Sequence, residues 1–254
     1  MGSLFSHALR PPSHFRPFLS DPYLDRQARG GHPKALAASL NQGEITLKRM
    51  SVIASSLLVL AFTVFGCAQM SSMYDSATGW TTLIDGDKGL ENFNRIGDAN
   101  WRAEDGAIVA DKGKGGHLVS KKPYKDFQLK AEFWAGDDTN SGIFLRASDP
   151  NKIGAKNAYE VNIFDQRPGQ EYATGAIVYI AKVPVPIIYR AGGKWNTYEI
   201  TAKGSQLTVV FNGVQTVNIQ NGQFAQGPFS LQFGNRGKAP GGPIKWRKVQ
   251  IKEL

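Results

Sequence analysis

Cysteine and histidine are scarce in this sequence of 254 residues, and their scarcity removes whole classes of chemistry. Cys67 is the only cysteine, which leaves no disulfide framework and no cysteine-based zinc site. Of the four histidines, His7, His14 and His32 fall in the first 49 residues, so His117 stands alone in the body of the chain. A His pair or a three-His metal site is therefore excluded from that body. Long apolar runs are lacking as well. The one candidate, residues 51–66, falls short of the roughly 20 residues a membrane span needs. Outside that run no stretch repeats apolar residues at i, i+3, i+4 and i+7, so amphipathic helices are not expected. The net charge is +9 but uneven: residues 1–49 hold seven Lys/Arg against three Asp/Glu, leaving 23 against 18 elsewhere. A body near +5, without a basic stripe interleaved with aromatics, speaks against nucleic-acid binding.

What is present begins with an export pattern. Lys48-Arg49 precedes the apolar run, which ends in Val64-Phe-Gly-Cys67. A short cationic region, an apolar stretch and then small residues form a secretory signal. Val64 to Cys67 resembles the bacterial lipobox, in which the cysteine is lipidated and becomes the mature N-terminus. Cleavage after Ala68 and an uncleaved anchor are the other outcomes this segment allows. Ala68 directly after the cysteine resembles outer-membrane sorting. The expected location is thus the bacterial cell envelope, lipid-anchored at the outer membrane or in the periplasm, or the secreted fraction. Residues 1–46 are rich in Pro, Arg and His without apolar periodicity, and read as a disordered leader or a start site placed too early. Residues 47–67 are the signal, 68–78 a linker, and 79–254 the folded domain.

From Gly79 the text reads as strands parted by turn signals every 8–12 residues. Residues 101–109 predict a hairpin turning at Asp105-Gly106, and Phe127–Trp134 alternates apolar and polar as a half-buried strand does. Further strands are expected over 141–147, 159–164, 176–180, 195–202, 206–211, 214–219, 229–233 and 244–252, with turns at Lys203-Gly-Ser205 and Asn212-Gly213. This many strands in one domain call for two packed sheets, an all-β jelly-roll sandwich, since a single open sheet would leave one face unburied.

Strand parity sorts side chains by face. Ile143, Leu145, Val161, Ile163, Leu231 and Phe233 take the core. Arg146, Glu160, Asn162 and Gln232 then share the opposite face. Ordinary solvated polar residues would give the same pattern. Beside aromatic residues, however, such groups suit a sugar: planar amides and charges bond its hydroxyls while rings cover its C–H face. Trp134, on the parity of Glu132 near Asp137-Asp138, is the leading stacking candidate among five tryptophans. His117, after Gly115-Gly116, reads as a strand-start residue and not as a ligand.

Taken in order, several segments resemble the 3-keto-disaccharide hydrolase family, also described as 3-keto-glycoside 1,2-lyase/hydratase domains. They include Gly79-Trp-Thr-Thr-Leu-Ile-Asp-Gly, Trp101-Arg-Ala-Glu-Asp-Gly and Tyr124-Lys-Asp-Phe-Gln-Leu. The most specific are Asn140-Ser-Gly-Ile-Phe-Leu-Arg146 and Tyr159-Glu-Val-Asn-Ile-Phe-Asp165. Thr174-Gly-Ala-Ile-Val-Tyr and the final strand from Lys245 to Leu254 extend the match over about residues 79–254. The resemblance implies a concanavalin-like jelly roll. It also implies a chemistry: a ketone at C3 acidifies the C2 proton, a base removes it, the C1 substituent leaves, and water adds to the resulting glucal.

On that resemblance Glu160 is the expected base with Asp165 second, Arg146 clamps the enolate, and Asn140, Asn162 and Gln232 orient substrate. Asp165 has the opposite parity to Glu160, so it reaches the same site only where the strand ends or bulges. A divalent cation could assist at the carboxylates, but no residue demands one. The expected partner is an oxidised glycoside or another carbohydrate. One departure stands out: family members commonly carry a His shortly after this Leu-Gln, whereas Leu231-Gln232 is followed here by Phe233-Gly234. The alternative is therefore a carbohydrate-binding lipoprotein without catalysis. A structural role in the envelope is the third reading.

Overall fold

The computed structural model of the chain describes residues 78–234 and 241–254, so Cys67, the signal segment and nearly all of the linker lie outside the described residues. Thirteen strands and two single turns of 3-10 helix, Leu90–Asn92 and Gln170–Tyr172, make up the regular structure described. Among the described residues no helix is long and apolar enough to cross a membrane.

The strands form two antiparallel sheets. The larger takes the order β11 (Val214–Gln220), β10 (Gln206–Phe211), β9 (Lys194–Lys203), β6 (Phe127–Ala135), β13 (Ile244–Glu253), β4 (Ala107–Ala110), β3 (Arg102–Glu104). Its eighth strand, β1 (Thr81–Asp85), pairs with the later part of β13. The smaller sheet runs β2 (Phe93–Gly97), β5 (Gly116–Ser120), β12 (Ser230–Phe233), β7 (Ser141–Leu145), β8 (Tyr159–Ile163). This is the all-β sandwich that the alternating pattern calls for. Tight hairpins turn where the sequence places them: Asp105 and Gly106, like Asn212 and Gly213, all have positive φ, and β9 turns into β10 at Gly204-Ser205.

Between the sheets lies one continuous core. Phe127, Leu129 and Phe133 of β6 and Tyr198 and Ile200 of β9 meet Leu118, Ile143, Val161, Phe229 and Leu231 from the smaller sheet. The rings of Phe133 and Tyr198 stack with centroids 5.2 Å apart, and Trp246 sits 5.6 Å from Phe133. A bulge between Trp246 and Lys248 shifts the parity of β13, so Ile244 and Trp246 and then Val249 and Ile251 all reach the core.

One expected strand is corrected. Residues 176–180 form a turn, in which Tyr179 takes φ 63° and the amide of Ala181 donates to the carbonyl of Ile177 at 2.8 Å. Ala176, Ile177 and Val178 are all buried, so no solvated face exists to sustain alternation. The segment instead lies along the edge of β8, exchanging backbone hydrogen bonds with Glu160 and Asn162.

Candidate functional site

The site lies on the outer face of the smaller sheet, and strand register assembles it. β7 and β8 set Phe144 opposite Glu160 and Gly142 opposite Asn162. β12 pairs Ser230 with Phe144 on one side and Gln232 with His117 on the other. Ile96 of β2 faces His117. Continuing the Ser230–Phe144 register brings Gln232 opposite Gly142, so Ile96, His117, Gln232, Gly142 and Asn162 share one row across the sheet. Val119, Ser230, Phe144 and Glu160 share the next. Two strand spacings, roughly 10 Å, separate the strand of Gln232 from that of Asn162. Gly142 keeps the floor between them open. A Cβ there would lie 3.0 Å from the carbonyl oxygen of Val161, 3.5 Å from Cγ of Glu160 and 3.6 Å from the Phe144 ring.

Glu160 is only 8% exposed, although it faces away from the core. Phe144 flanks it, and the 176–178 segment covers the sheet edge beside it, where the amide of Val178 donates to its carbonyl at 3.0 Å. Its carboxyl has no hydrogen-bond or ion-pair partner among the described residues. Burial pushes it up to about 7, with the positive charge of Arg167 acting in the opposite direction. A carboxyl held there at neutral pH can accept a proton and return it.

His117 shows the converse shift. It is 9% exposed, its Nδ1 lies 3.1 Å from Oγ of Ser230, and its ring meets Phe144 edge-on at 5.0 Å. Burial pushes the imidazole down to about 4, which keeps it neutral at neutral pH. Two orphaned acceptors complete the face. Nδ2 of Asn162 donates to the carbonyl of Tyr172 at 2.6 Å, but its Oδ1 is buried without a partner. Oε1 of Gln232 is likewise buried and unpaired. An unpaired buried acceptor costs about 1–3 kcal/mol, a cost that a hydroxyl donor from a ligand would relieve.

A cleft of about 450 Å³ opens at the His117 and Gln232 end, and Asn140 lines it with them. The structure thus gathers Glu160, Asn162, Gln232 and Asn140 on one face. It adds His117 and the charge of Arg167, which parity arguments did not assign to the site. The register of Gln232 opposite His117 could have placed His117. Arg167 follows β8 in a loop, where alternation carries no information.

Three expected site residues lie elsewhere. β7 ends at Leu145, and Arg146 takes φ 52°, which breaks the alternation that would have turned it outward. Its guanidinium is fully buried at one end of the sandwich. There it donates to the carbonyls of Lys125 at 2.7 Å, Gly204 at 2.8 Å and Phe224 at 3.2 Å, and pairs with Asp126 at 3.2 Å. Asp165 is also occupied. It accepts from the Thr174 hydroxyl at 2.6 Å and from the amides of Ala191 and Gly192 at 2.9 Å, so it fastens two loops together. Trp134 belongs to the outer face of the other sheet, paired in register with Trp195 and covered by Lys245 at 5.5 Å. Among the described residues no group of three or more His, Cys, Asp or Glu could hold a metal ion. With Asp165 saturated by three donors, the carboxylates do not fit a shared divalent cation.

A family model described as the 3-keto-alpha-glucoside-1,2-lyase-like domain matches residues 79–252. Among solved structures, a candidate glycosyl hydrolase from Parabacteroides distasonis ATCC 8503 is 20% identical with a TM-score of 0.60, covering 71% of this chain and 96% of its own. A second one from the same organism is 26% identical with a TM-score of 0.53, over 69% of this chain and 84% of its own. The exoplasmic/lumenal domain of VIP36, solved with Ca2+ and Man2, has the same fold at 8% identity and a TM-score of 0.52. It covers 70% of this chain and 90% of its own. The comparison with curated protein sequences finds no match.

Proposed function

This chain belongs to the 3-keto-alpha-glucoside-1,2-lyase-like family, and we propose that it cleaves oxidised glycosides by elimination and hydration, with Glu160 as the base. The observation that carries this reading is a buried carboxyl, raised to about 7, on the same outer sheet face as two orphaned acceptors, one of which, Gln232, lines the cleft. Glu160 takes the C2 proton that the C3 ketone has acidified. The C1–oxygen bond breaks with its electron pair going to the aglycone oxygen, which is protonated. Water then adds across C1 and C2, its hydroxyl to C1 and a proton to C2. Gln232, which lines the cleft, accepts from a sugar hydroxyl through Oε1. The charge of Arg167, which already acts on Glu160, opposes the negative charge that develops during proton transfer.

Carbohydrate binding without turnover is the second reading, and one observation favours it: Arg146, the expected enolate clamp, is fully engaged in holding the fold. Release of aglycone from an aryl 3-keto-glucoside by the wild type and by Glu160→Gln separates the two. Turnover lost in the variant with sugar binding retained supports the base. Sugar binding by both proteins with turnover by neither leaves only the binding reading. The export signal carries a further proposal, that Cys67 anchors the domain to the bacterial envelope through lipid; mass spectrometry of the mature N-terminus tests it.

A further inference from the structure

We propose that Tyr179 is a stacking platform for a second ring of the substrate, the ring carried by its C1 substituent. The inference rests on the carbohydrate reading above and adds a binding residue and a substrate feature to it.

Among the described residues four besides glycines take positive φ: Asp105, Arg146, Tyr179 and Asn212. Asp105 and Asn212 are short polar types that tolerate this conformation in tight turns. Arg146 offsets it through the buried hydrogen bonds of its guanidinium. Neither reason applies to Tyr179. It is bulky, its φ is 63°, and 61% of its surface is exposed, so the fold gains little from its ring. A large residue in a disfavoured backbone conformation, with its side chain in solvent, points to a contact made when a ligand is present.

The ring is nonetheless held in place. Tyr172 meets it edge-on with centroids 5.8 Å apart, and the guanidinium of Arg167 stands 6.0 Å from its centre. Both neighbours tie it to the candidate site. The carbonyl of Tyr172 accepts from Nδ2 of Asn162 on the outer sheet face, and the charge of Arg167 acts on Glu160. The backbone adds a third link, since the amide of Val178, directly before Tyr179, donates to the carbonyl of Glu160.

Position decides which part of the substrate Tyr179 meets. Gly142 lies on β7 and Glu160 on β8, while the segment leading into Tyr179 follows the edge of β8, with Ile177 bridged to Val161. The segment is thus on the far side of Glu160 from Gln232, two strand spacings or roughly 10 Å from the strand of Gly142. A reacting ring over Gly142 therefore leaves Tyr179 to the group beyond C1. The C–H face of a second sugar, or the face of an aryl group, packs on the tyrosine ring. The phenol hydroxyl has no hydrogen-bond partner among the described residues and can meet a hydroxyl of that second ring.

The full chain carrying Glu160→Gln, which binds without turnover on the elimination reading, would be titrated by calorimetry with three ligands. They are methyl 3-keto-α-D-glucoside, phenyl 3-keto-α-D-glucoside, and maltose with the ketone at C3 of its non-reducing ring. The expected result is that one or both ligands with a second ring bind about tenfold tighter than the methyl glycoside. Adding Tyr179→Gly should cut that preference to about twofold or less with affinity for the methyl glycoside unchanged, whereas Tyr179→Phe should keep it. Glycine accepts this φ, so loss of the ring is read without added backbone strain. The two ring-bearing arms tell a sugar from an aryl group. Equal affinity for all three ligands, a preference that survives Tyr179→Gly, or a methyl-glycoside affinity that falls with it overturns the platform and leaves the carbohydrate reading intact. No binding of any of the three overturns both.

Discussion

Replacing Glu160 by Gln should change the pH dependence of stability in a way set by its burial. In the folded chain the carboxyl is raised to about 7 from an ordinary value of 4.5. The folded state therefore holds a proton between those limits that the unfolded state has released. A raised carboxyl contributes stability that is fully present below pH 4.5 and is lost as pH rises through 7. Each pH unit across that window is worth about 1.4 kcal/mol, so the whole loss is about 3 kcal/mol. Glutamine keeps the size and cannot ionise. The difference in unfolding free energy, Glu160→Gln minus wild type, should thus climb by about 3 kcal/mol between pH 4.5 and 7.5 and then level off. Urea unfolding followed by tryptophan fluorescence at half-unit pH steps measures it. His117 acts in the opposite sense, since its depressed imidazole contributes stability that is lost as pH falls from 6.5 through 4. In the wild type the two slopes largely offset each other between 4.5 and 6.5, which is why the difference curve is the informative one. Parallel curves for wild type and variant would show that Glu160 ionises like a solvated carboxyl, and the base assignment would fall with the burial argument.

Arg146→Ala should cost about 3–5 kcal/mol, because three carbonyls and Asp126 lose a buried partner; thermal melting checks it, and a near-neutral effect would refute the structural role. Asp165→Asn should lower stability by about 1–3 kcal/mol through the amides of Ala191 and Gly192, while catalysis at moderate temperature stays within about twofold. A loss of turnover without a loss of stability would return Asp165 to the reacting centre. Gly142→Ala should place a methyl 3.5 Å from Cγ of Glu160. The expected result is about 1 kcal/mol of destabilisation with sugar binding weakened by at least tenfold, read by melting and by titration calorimetry.

Alternation made most of the sandwich legible. β6, β8, β9 and β10 alternate apolar and polar residues over most of their length, and the Asp-Gly and Asn-Gly turns fix where hairpins close. Parity also placed Glu160, Asn162 and Gln232 on one face. It failed where the backbone leaves the strand regime. At Arg146 a single residue with φ 52° redirects a side chain that alternation would have aimed at the sugar face. Residues 176–180 are apolar because they are packed on every side, and strand periodicity cannot be told from general burial over five residues. His117 needed the pairing of β5 with β12, a contact spanning more than a hundred residues, before its neighbour Gln232 could be known.

The opposite shifts of Glu160 and His117 have one physical origin, and it bears on what the face can bind. Both groups lie on the outer face, yet both are nearly dry, because Phe144 stands between their strands and touches the ring of one and flanks the other. Burial alone disfavours the charged form of each, so near pH 6 the carboxyl is protonated and the imidazole is neutral. The inner part of the face then presents no net charge, only a carboxylic acid, an imidazole and two amide oxygens without donors. A neutral ring rich in hydroxyls can approach such a face without the desolvation of a charge, whereas a charged ring could not. The same burial that makes Glu160 a reluctant carboxylate therefore suits the floor over Gly142 to an uncharged sugar ring.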